Sequence, residues 1–458
     1  MKKIFYTLIL LLPFQSQAQL NQDKYSPLDY AWQNVGNEGF SDALVSSVSL
    51  AFSPTGQPYV AYMDGAHSSK ATVMKFDGTN WLSVGNAGFS AATANATCLA
   101  FSPSGQPYVA YDDYGNSDKV TVMKFDGTSW VNVGNAGFSA GEADWISLAF
   151  SLAGEPYVAY VDLANSYKAT VMKFNGTNWV NVGNAGFSVG EANCTSLAFN
   201  PNDDQPYVAF ADGTIGGGKA SVMKYNGMNW TYVGNSGFSA GWTYFVNLAF
   251  NTSGQPFVAY QDYQVSASVM KFDGTNWVNV GNADFSAGHA DYISLALSPT
   301  GQPCVAYEDY ENEYRATVME FDGTNWVNVG NAGFSTGEVW FTSLAFNPSG
   351  QPYVAYTDFS NSQKATVKYY NAPAGVHELA PLQVSIYPNP ATDKIAIEIS
   401  GNPKQSSLSI VNIEGQQLLT RQITEPQTQI DISNLPSGVY FVRVISERTV
   451  EVGKIIKE

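Results

Sequence analysis

The stretch Ser147 to Gly183, SLAFSLAGEPYVAYVDLANSYKATVMKFNGTNWVNVG, decides the fold because it recurs nearly verbatim along most of the 458-residue chain. Its anchor tryptophans are Trp32, Trp81, Trp130, Trp179, Trp230, Trp277 and Trp326, spaced by 49, 49, 49, 51, 47 and 49 residues. A period of that length is what a four-stranded blade needs, and self-similarity outranks any local pattern in fixing a fold class. Within one unit, Leu50-Ala51-Phe52 reads as a first strand, followed by a turn at Ser53-Pro54-Thr55-Gly56. Tyr59 to Tyr62 is apolar throughout, as a strand covered on both faces must be. Thr72 to Phe76 is the third strand, and Asp77-Gly78 turns the chain into a fourth at Trp81 to Val84. No stretch has a helical period, so the region is all-β.

The ends of the array carry the topology. Trp32 to Val35 is a fourth strand with no first three before it, and the last copy stops at Ala365 to Tyr370 without its tryptophan strand. Pairing the two leftovers closes a ring of seven blades and leaves no open edge. The expected architecture is therefore a seven-bladed β-propeller at 32–371. The Gly301-Gln302-Pro303-Cys304-Val305-Ala306-Tyr307 strand and the Phe321-Asp322-Gly323-Thr324-Asn325-Trp326 hairpin resemble those of sialidase-like and kelch-like extracellular bacterial propellers. That resemblance implies architecture and leaves function open, since propellers host unrelated activities.

Composition narrows the partners. With 22 basic and 39 acidic residues the formal charge is -17, which argues against nucleic acid. Lys2, Lys3, the apolar run Ile4 to Leu12 and Ser16-Gln17-Ala18 read as a signal peptide over 1–18, followed by an N-terminal lead at 19–31. No other run is long and apolar enough to span a bilayer as a helix, so no transmembrane span is expected in the mature chain. Cys98, Cys194 and Cys304 fall in repeats two, four and six. Blades that are not neighbours hold their strands too far apart to be bridged, so all three read as small buried residues.

A linker at 372–382 opens on Ala372-Pro373-Ala374-Gly375, and the composition then changes. Seven short strands are legible between Val384 and Ile456, enough for a small Ig-like β-sandwich at 383–458. Tyr387-Pro388-Asn389-Pro390-Ala391, Ile413-Glu414-Gly415-Gln416, Leu435-Pro436-Ser437-Gly438-Val439-Tyr440 and Lys454-Ile455-Ile456-Lys457 closely resemble the type A sorting domain of the type IX secretion system. The resemblance implies Pro388, Asn389, Pro390, Gly415, Gly438, Tyr440, Lys454 and Lys457 as its sorting motif. It further implies the secretion machinery and a sortase-like protease as partners, and an extracellular or outer-membrane surface location.

Seven aspartates, Asp64, Asp113, Asp162, Asp212, Asp262, Asp309 and Asp358, follow the second strand, and six repeats place a base at the start of the third, at Lys70, Lys119, Lys168, Lys219, Arg315 and Lys364. Repetition of both marks a cross-hairpin ion pair or a turn hydrogen bond, not a metal site, and no cofactor is expected. Residues that break the repeat are more telling. Trp145, Trp242 and Trp340 are out of phase, in the connections leading into first strands, with Tyr244, Phe245, Tyr292 and Phe341 beside them. Repeats one, two and four have Ser47, Ala96 and Cys194 there.

Propeller first strands are innermost, so these rings should surround one mouth of the central channel, among Glu142, Asp144, Glu191, Asp291 and Glu338. Aromatic platforms among carboxylates suit a sugar; equally, the rings could plug the channel. The residues expected to bind are Trp145, Trp242, Tyr244, Tyr292, Trp340, Asp144 and Glu338, with an extracellular glycan or protein as ligand. No catalytic residue is assigned: sialidase-like chemistry uses an arginine cluster, and Arg315 is the single arginine of the propeller. The expected function is a secreted, non-catalytic binding propeller, with an adhesion scaffold or a glycoside hydrolase as alternatives.

Overall fold

The computed structural model describes residues 31–214, 217–371, 384–399, 406–412, 416–423, 427–445 and 450–458. The expected signal peptide, nearly all of the lead, the linker and Gly415 lie outside them. The chain divides into two compact units, one ending at Pro373 and the other starting at Ala374. Among the described residues no helix is long and apolar enough to cross a membrane.

The first unit is a seven-bladed β-propeller of seven four-stranded antiparallel sheets. Blade 3, which contains the opening stretch, comprises Ala143–Phe150, Pro156–Asp162, Lys168–Phe174 and Trp179–Asn181. Blade 7 is built from both ends of the unit: Val339–Phe346, Pro352–Asp358 and Lys364–Tyr370 are completed by Trp32–Asn34. The registers Trp32↔Tyr370, Gln33↔Tyr369 and Asn34↔Lys368 are those the leftover strands require.

Two repeated joints hold the ring. The first is a belt of hydrogen bonds between innermost strands. Leu50 N donates to Ser343 Oγ (2.9 Å), Leu99 N to Ser49 Oγ (3.0 Å), Leu148 N to Cys98 Sγ (3.4 Å) and Leu197 N to Ser147 Oγ (3.0 Å). Leu248 N donates to Ser196 Oγ (3.0 Å), Asn247 Nδ2 to Ile293 O (2.8 Å) and Leu344 N to Ser294 Oγ (2.9 Å), which completes the circuit. Cys98 thus stands in a serine slot and accepts a hydrogen bond while partly exposed, which corrects its reading as a buried apolar residue; Cys194 and Cys304 are buried as expected, and all three are free.

The second joint is the tryptophan. Trp179 Nε1 donates to Val133 O of blade 2 (2.6 Å), and the indole stacks on Phe138 at 4.2 Å. The same pair of contacts recurs at every junction, ending with Trp32 on Val329 O (2.8 Å) and Phe334 (4.1 Å). Each indole buries ~150–250 Å² and so contributes about 4–6 kcal/mol per junction before the entropy of ordering it. The cores therefore lie between blades: Ala61 and Val73 of blade 1 pack with Val109, Tyr111 and Met123 of blade 2. All seven residues of the second strand of blade 3 are buried, which is why its sequence does not alternate.

The first strands are longer than the apolar triplet suggests, running for example from Val45–Phe52. Each contains a bulge at one fixed position, occupied by Ser47, Ala96, Trp145, Cys194, Phe245, Tyr292 or Phe341, with φ between 47° and 55°. A left-handed residue breaks the two-residue period, so the half of the strand before it does not read as a strand in the sequence.

The second unit is a small β-sandwich. Val384–Tyr387, Lys394–Ile399 and Gln427–Asp431 form one sheet, and Gln417–Ile423, Ser406–Val411, Gly438–Ile445 and Val450–Lys457 form the other. Its core includes Ile395, Ile397, Leu408, Ile410, Val442 and Ile455. Asn389 clamps the last strand, with Nδ2 donating to Lys454 O (2.8 Å) and Oδ1 accepting from Ile456 N (2.9 Å). Tyr440 Oη donates to Pro436 O (2.7 Å), tying the turn before its strand.

Candidate functional site

The repeated aspartates resolve as structural. Asp113 Oδ2 accepts from Thr121 Oγ1 (2.7 Å) and Asn116 Nδ2 (2.8 Å), Oδ1 accepts from Gly115 N (3.1 Å), and Thr121 Oγ1 accepts in turn from Gly137 N (2.8 Å). The turn hydrogen bond is therefore the correct alternative, and the ion pair is not formed: among the described residues none of the six aspartates that have a base opposite pairs with it. Arg315 binds Glu313 instead (2.6 Å). No cluster that could hold a metal ion occurs among the described residues.

The out-of-phase aromatics do converge. Trp145, Phe245, Tyr292 and Phe341 occupy the bulge itself, not a connection, and Tyr244 and Trp340 immediately precede it. A bulge re-aims its side chain, and here the rings of four blades pack against the cores between blades and against one another. Thr195 of blade 4 donates to the Trp145 carbonyl, and Thr342 of blade 7 to that of Tyr292, fixing the bulges from the neighbouring blade.

Because blade 4 has only Cys194 at the slot, Trp145 reaches past it to blade 5, meeting Tyr244 edge-on at 5.3 Å and Phe245 at 6.5 Å. Phe245 meets Tyr292 at 5.2 Å, and Tyr292 meets Phe341 at 4.8 Å and Trp340 at 6.4 Å. Trp340 then packs on Phe359 at 4.7 Å. The result is a continuous aromatic arc over blades 3 to 7. Two of its rings stay open, since Tyr244 and Trp340 are 39% and 38% exposed. Trp242, 42% exposed, stands in the loop before Tyr244, outside this chain of ring contacts.

Carboxyl groups stand at both ends of the arc. On blades 2 and 3, Asp112 lies near Asp118 and Asp144 and accepts from Asn95 Nδ2 (3.3 Å); burial is the main cause that pushes it up to about 6, and Asp144 is raised by its own burial and by Asp118. On blades 6 and 7, Glu308 faces Asp291 and Glu338 and is pushed up to about 8, chiefly by burial and then by those two charges. Asp291 accepts from Gln261 Nε2 (2.5 Å) and His289 Nε2 (3.1 Å). Tyr292, a ring of the arc that senses these acids, is pushed up to about 12 by burial, with Glu308 and Asp291 adding to it.

Of these side chains Asp144, Asp291 and Glu338 were legible in the sequence; Asp112, Glu308 and Gln261 were missed. They share one slot in the second strand, where the other repeats have Met63, Val161, Ala211 and Thr357. A column-by-column comparison of the seven repeats would have exposed them.

Against known proteins, residues 385–458 match the family described as the secretion system C-terminal sorting domain. The C-terminal unit is a type IX sorting domain. This sorting domain marks the chain for export to the cell surface or the extracellular space. Karilysin from Tannerella forsythia is 31% identical over 85 residues, which are 16% of this chain and 18% of karilysin, so the match spans less than a fifth of that protein.

Solved structures with a similar fold include an enzyme and a lectin. A polysaccharide lyase, an ulvan lyase solved with a GlcA(1-4)Rha3S fragment, has TM-score 0.53 at 13% identity, over 74% of this chain and 96% of the lyase. The BP39L lectin from Burkholderia pseudomallei has TM-score 0.53 at 17% identity, over 71% of this chain and 96% of the lectin. At such identities the likeness establishes the propeller and not its chemistry.

Proposed function

We propose that this is a secreted propeller that binds an extracellular glycan without transforming it, through the aromatic arc at one mouth of its channel. The arc carries the reading: seven near-identical repeats supply the same bulge, yet only blades 3, 5, 6 and 7 fill it with rings, and those rings touch one another. Packing does not require them, since Ser47, Ala96 and Cys194 satisfy the same position. Sugar rings stack on partly exposed aromatic faces and hydrogen-bond to flanking carboxylates, the roles given to Trp145, Tyr244, Tyr292 and Trp340, and to Asp144 and Glu338. Trp242 extends the same surface. The sorting domain carries this surface out through the type IX machinery, with removal by a sortase-like protease as part of the same reading and Pro388, Asn389, Pro390, Gly438, Tyr440, Lys454 and Lys457 as its address. Probing a glycan array with the purified full chain tests the proposal. Binding to at least one glycan, lost in Trp145→Ala and Trp340→Ala variants that melt like the parent, is the expected result; silence across the array would favour an adhesion scaffold.

A glycoside hydrolase is the second reading, and Glu308 is the observation in its favour: a carboxyl held protonated near neutral pH directly opposite a second carboxyl, that of Asp291, is the kind of pair an acid and a base need. Turnover of chromogenic glycosides that is lost in Glu308→Gln would replace the binding proposal with this one.

A further inference from the structure

Asp291 and Glu308 are directly opposed on neighbouring antiparallel strands, so their side chains leave the sheet on the same face. Like charges so placed are destabilising. Glu338 of blade 7 adds a third acid, felt by Glu308, Tyr292 and Tyr314. No lysine or arginine bonds to any of the three among the described residues. Glu308 is 5% exposed, and its Oε2 is buried with no hydrogen-bond partner. An unmet buried carboxyl oxygen costs ~1–3 kcal/mol or more, and the fold does not demand it, since methionine, valine, alanine and threonine fill that slot elsewhere. Tyr292 stands beside it, and the partly open ring of Trp340 lies 6.4 Å from that of Tyr292.

Acids that no lysine or arginine partners, next to aromatic rings, are what an organic ammonium group fits, through charge pairing and attraction to the ring faces. We propose that the junction of blades 6 and 7 is a subsite for an ammonium group, which makes the ligand a glycan bearing free amino groups. This rests on the glycan-binding reading and specifies its ligand class.

The ionisation of Glu308 supplies a readout that simple packing would not. The groups facing it are Asp291, Glu338, Tyr292 and Tyr314, with His289 and Gln261 bonded to Asp291. With its carboxyl held at about 8, Glu308 is mostly protonated at neutral pH. An entering ammonium favours the charged form and expels that proton.

Titration calorimetry of the full chain with a glucosamine hexamer and with its N-acetylated counterpart, near neutral pH and ~150 mM salt, tests the inference. In phosphate and in Tris, the heats should report release of up to one proton with the amino form alone, which should bind at least about tenfold tighter. Glu308→Gln, a residue that blade 5 accommodates at the same slot as Gln261, should abolish both the proton release and most of the preference. Glu155→Gln, remote from the subsite, should alter neither. Equal or tighter binding of the acetylated hexamer, or a preference reduced as much by Glu155→Gln as by Glu308→Gln, overturns the subsite while leaving glycan binding in place. If neither hexamer binds but an array glycan does, the subsite again falls alone. The broader reading falls with it only if no glycan binds at all.

Discussion

The Asp-Thr-Gly relay shows how one side chain can be fixed by three neighbours. Thr121 and Asp113 are 0% and 1% exposed, and the threonine hydroxyl both donates to the carboxylate and accepts from Gly137 N. Thr121→Val leaves the carboxylate short of a donor and the amide short of an acceptor, so about 2–4 kcal/mol of stability should be lost in urea unfolding. Thr121→Ser keeps both bonds, as Ser268 does in blade 5, and should cost under ~1 kcal/mol. Glu308 gives a prediction of opposite character. Its folded value of about 8 lies above the ordinary 4.5, so the fold holds that proton more tightly than the unfolded chain does. Its contribution to stability is therefore complete below about pH 4.5 and is lost as the pH rises towards 8. The difference between parent and Glu308→Gln urea midpoints should then change steadily across that window in favour of the variant; a flat difference would mean that Glu308 ionises normally.

At the scale of the strand, the bulge and the hairpin use the same backbone region at different cost. Ala96 sits at φ 47° without being glycine, so Ala96→Gly relieves left-handed strain at the expense of unfolded-chain entropy and should change stability by no more than about 1 kcal/mol in either direction. Gly78 sits at φ 104° with nothing within 4 Å of an added Cβ, so Gly78→Ala meets no clash and still should lose ~1–2 kcal/mol from backbone strain alone. Thermal melts of the pair separate conformational from packing costs. This contrast also explains what the sequence could and could not convey. Asp77-Gly78 and the apolar Tyr59 to Tyr62 announce a turn and a doubly covered strand because their signals are local. The bulge is held by a neighbouring blade, through Thr195 on Trp145 and Thr342 on Tyr292, and nothing within either strand declares it. For the same reason Trp145 reads as a residue of a connection, although it lies within the innermost strand, and Glu308 reads as an ordinary strand residue until Asp291 is found opposite it.

For the propeller unit as a whole, closure is the property from which the mouth follows, because seven first strands define a rim only if blade 7 meets blade 1. Three residues of pairing at Trp32–Asn34 do not act alone: Val35 N donates to Val367 O and Phe40 N to Ala365 O (both 2.9 Å), Lys368 Nζ binds Glu38 Oε1 (2.8 Å), and Trp32 crosses to Val329. Removing residues 31–41 from the exported chain strips all of these contacts and bares Lys364–Tyr370 as an unpaired edge. An edge of that length is a template for another chain, so the truncated protein should melt lower and associate as its concentration rises. A synthetic peptide of residues 31–41 should reverse both effects by restoring the fourth strand, and the same peptide carrying Trp32→Ala should do so poorly, because the indole and not the short ladder supplies most of the apolar contact. Light scattering and melting curves with each peptide read the outcome. An unchanged melt after truncation would mean that the belt of inner-strand hydrogen bonds holds the ring closed without the clasp.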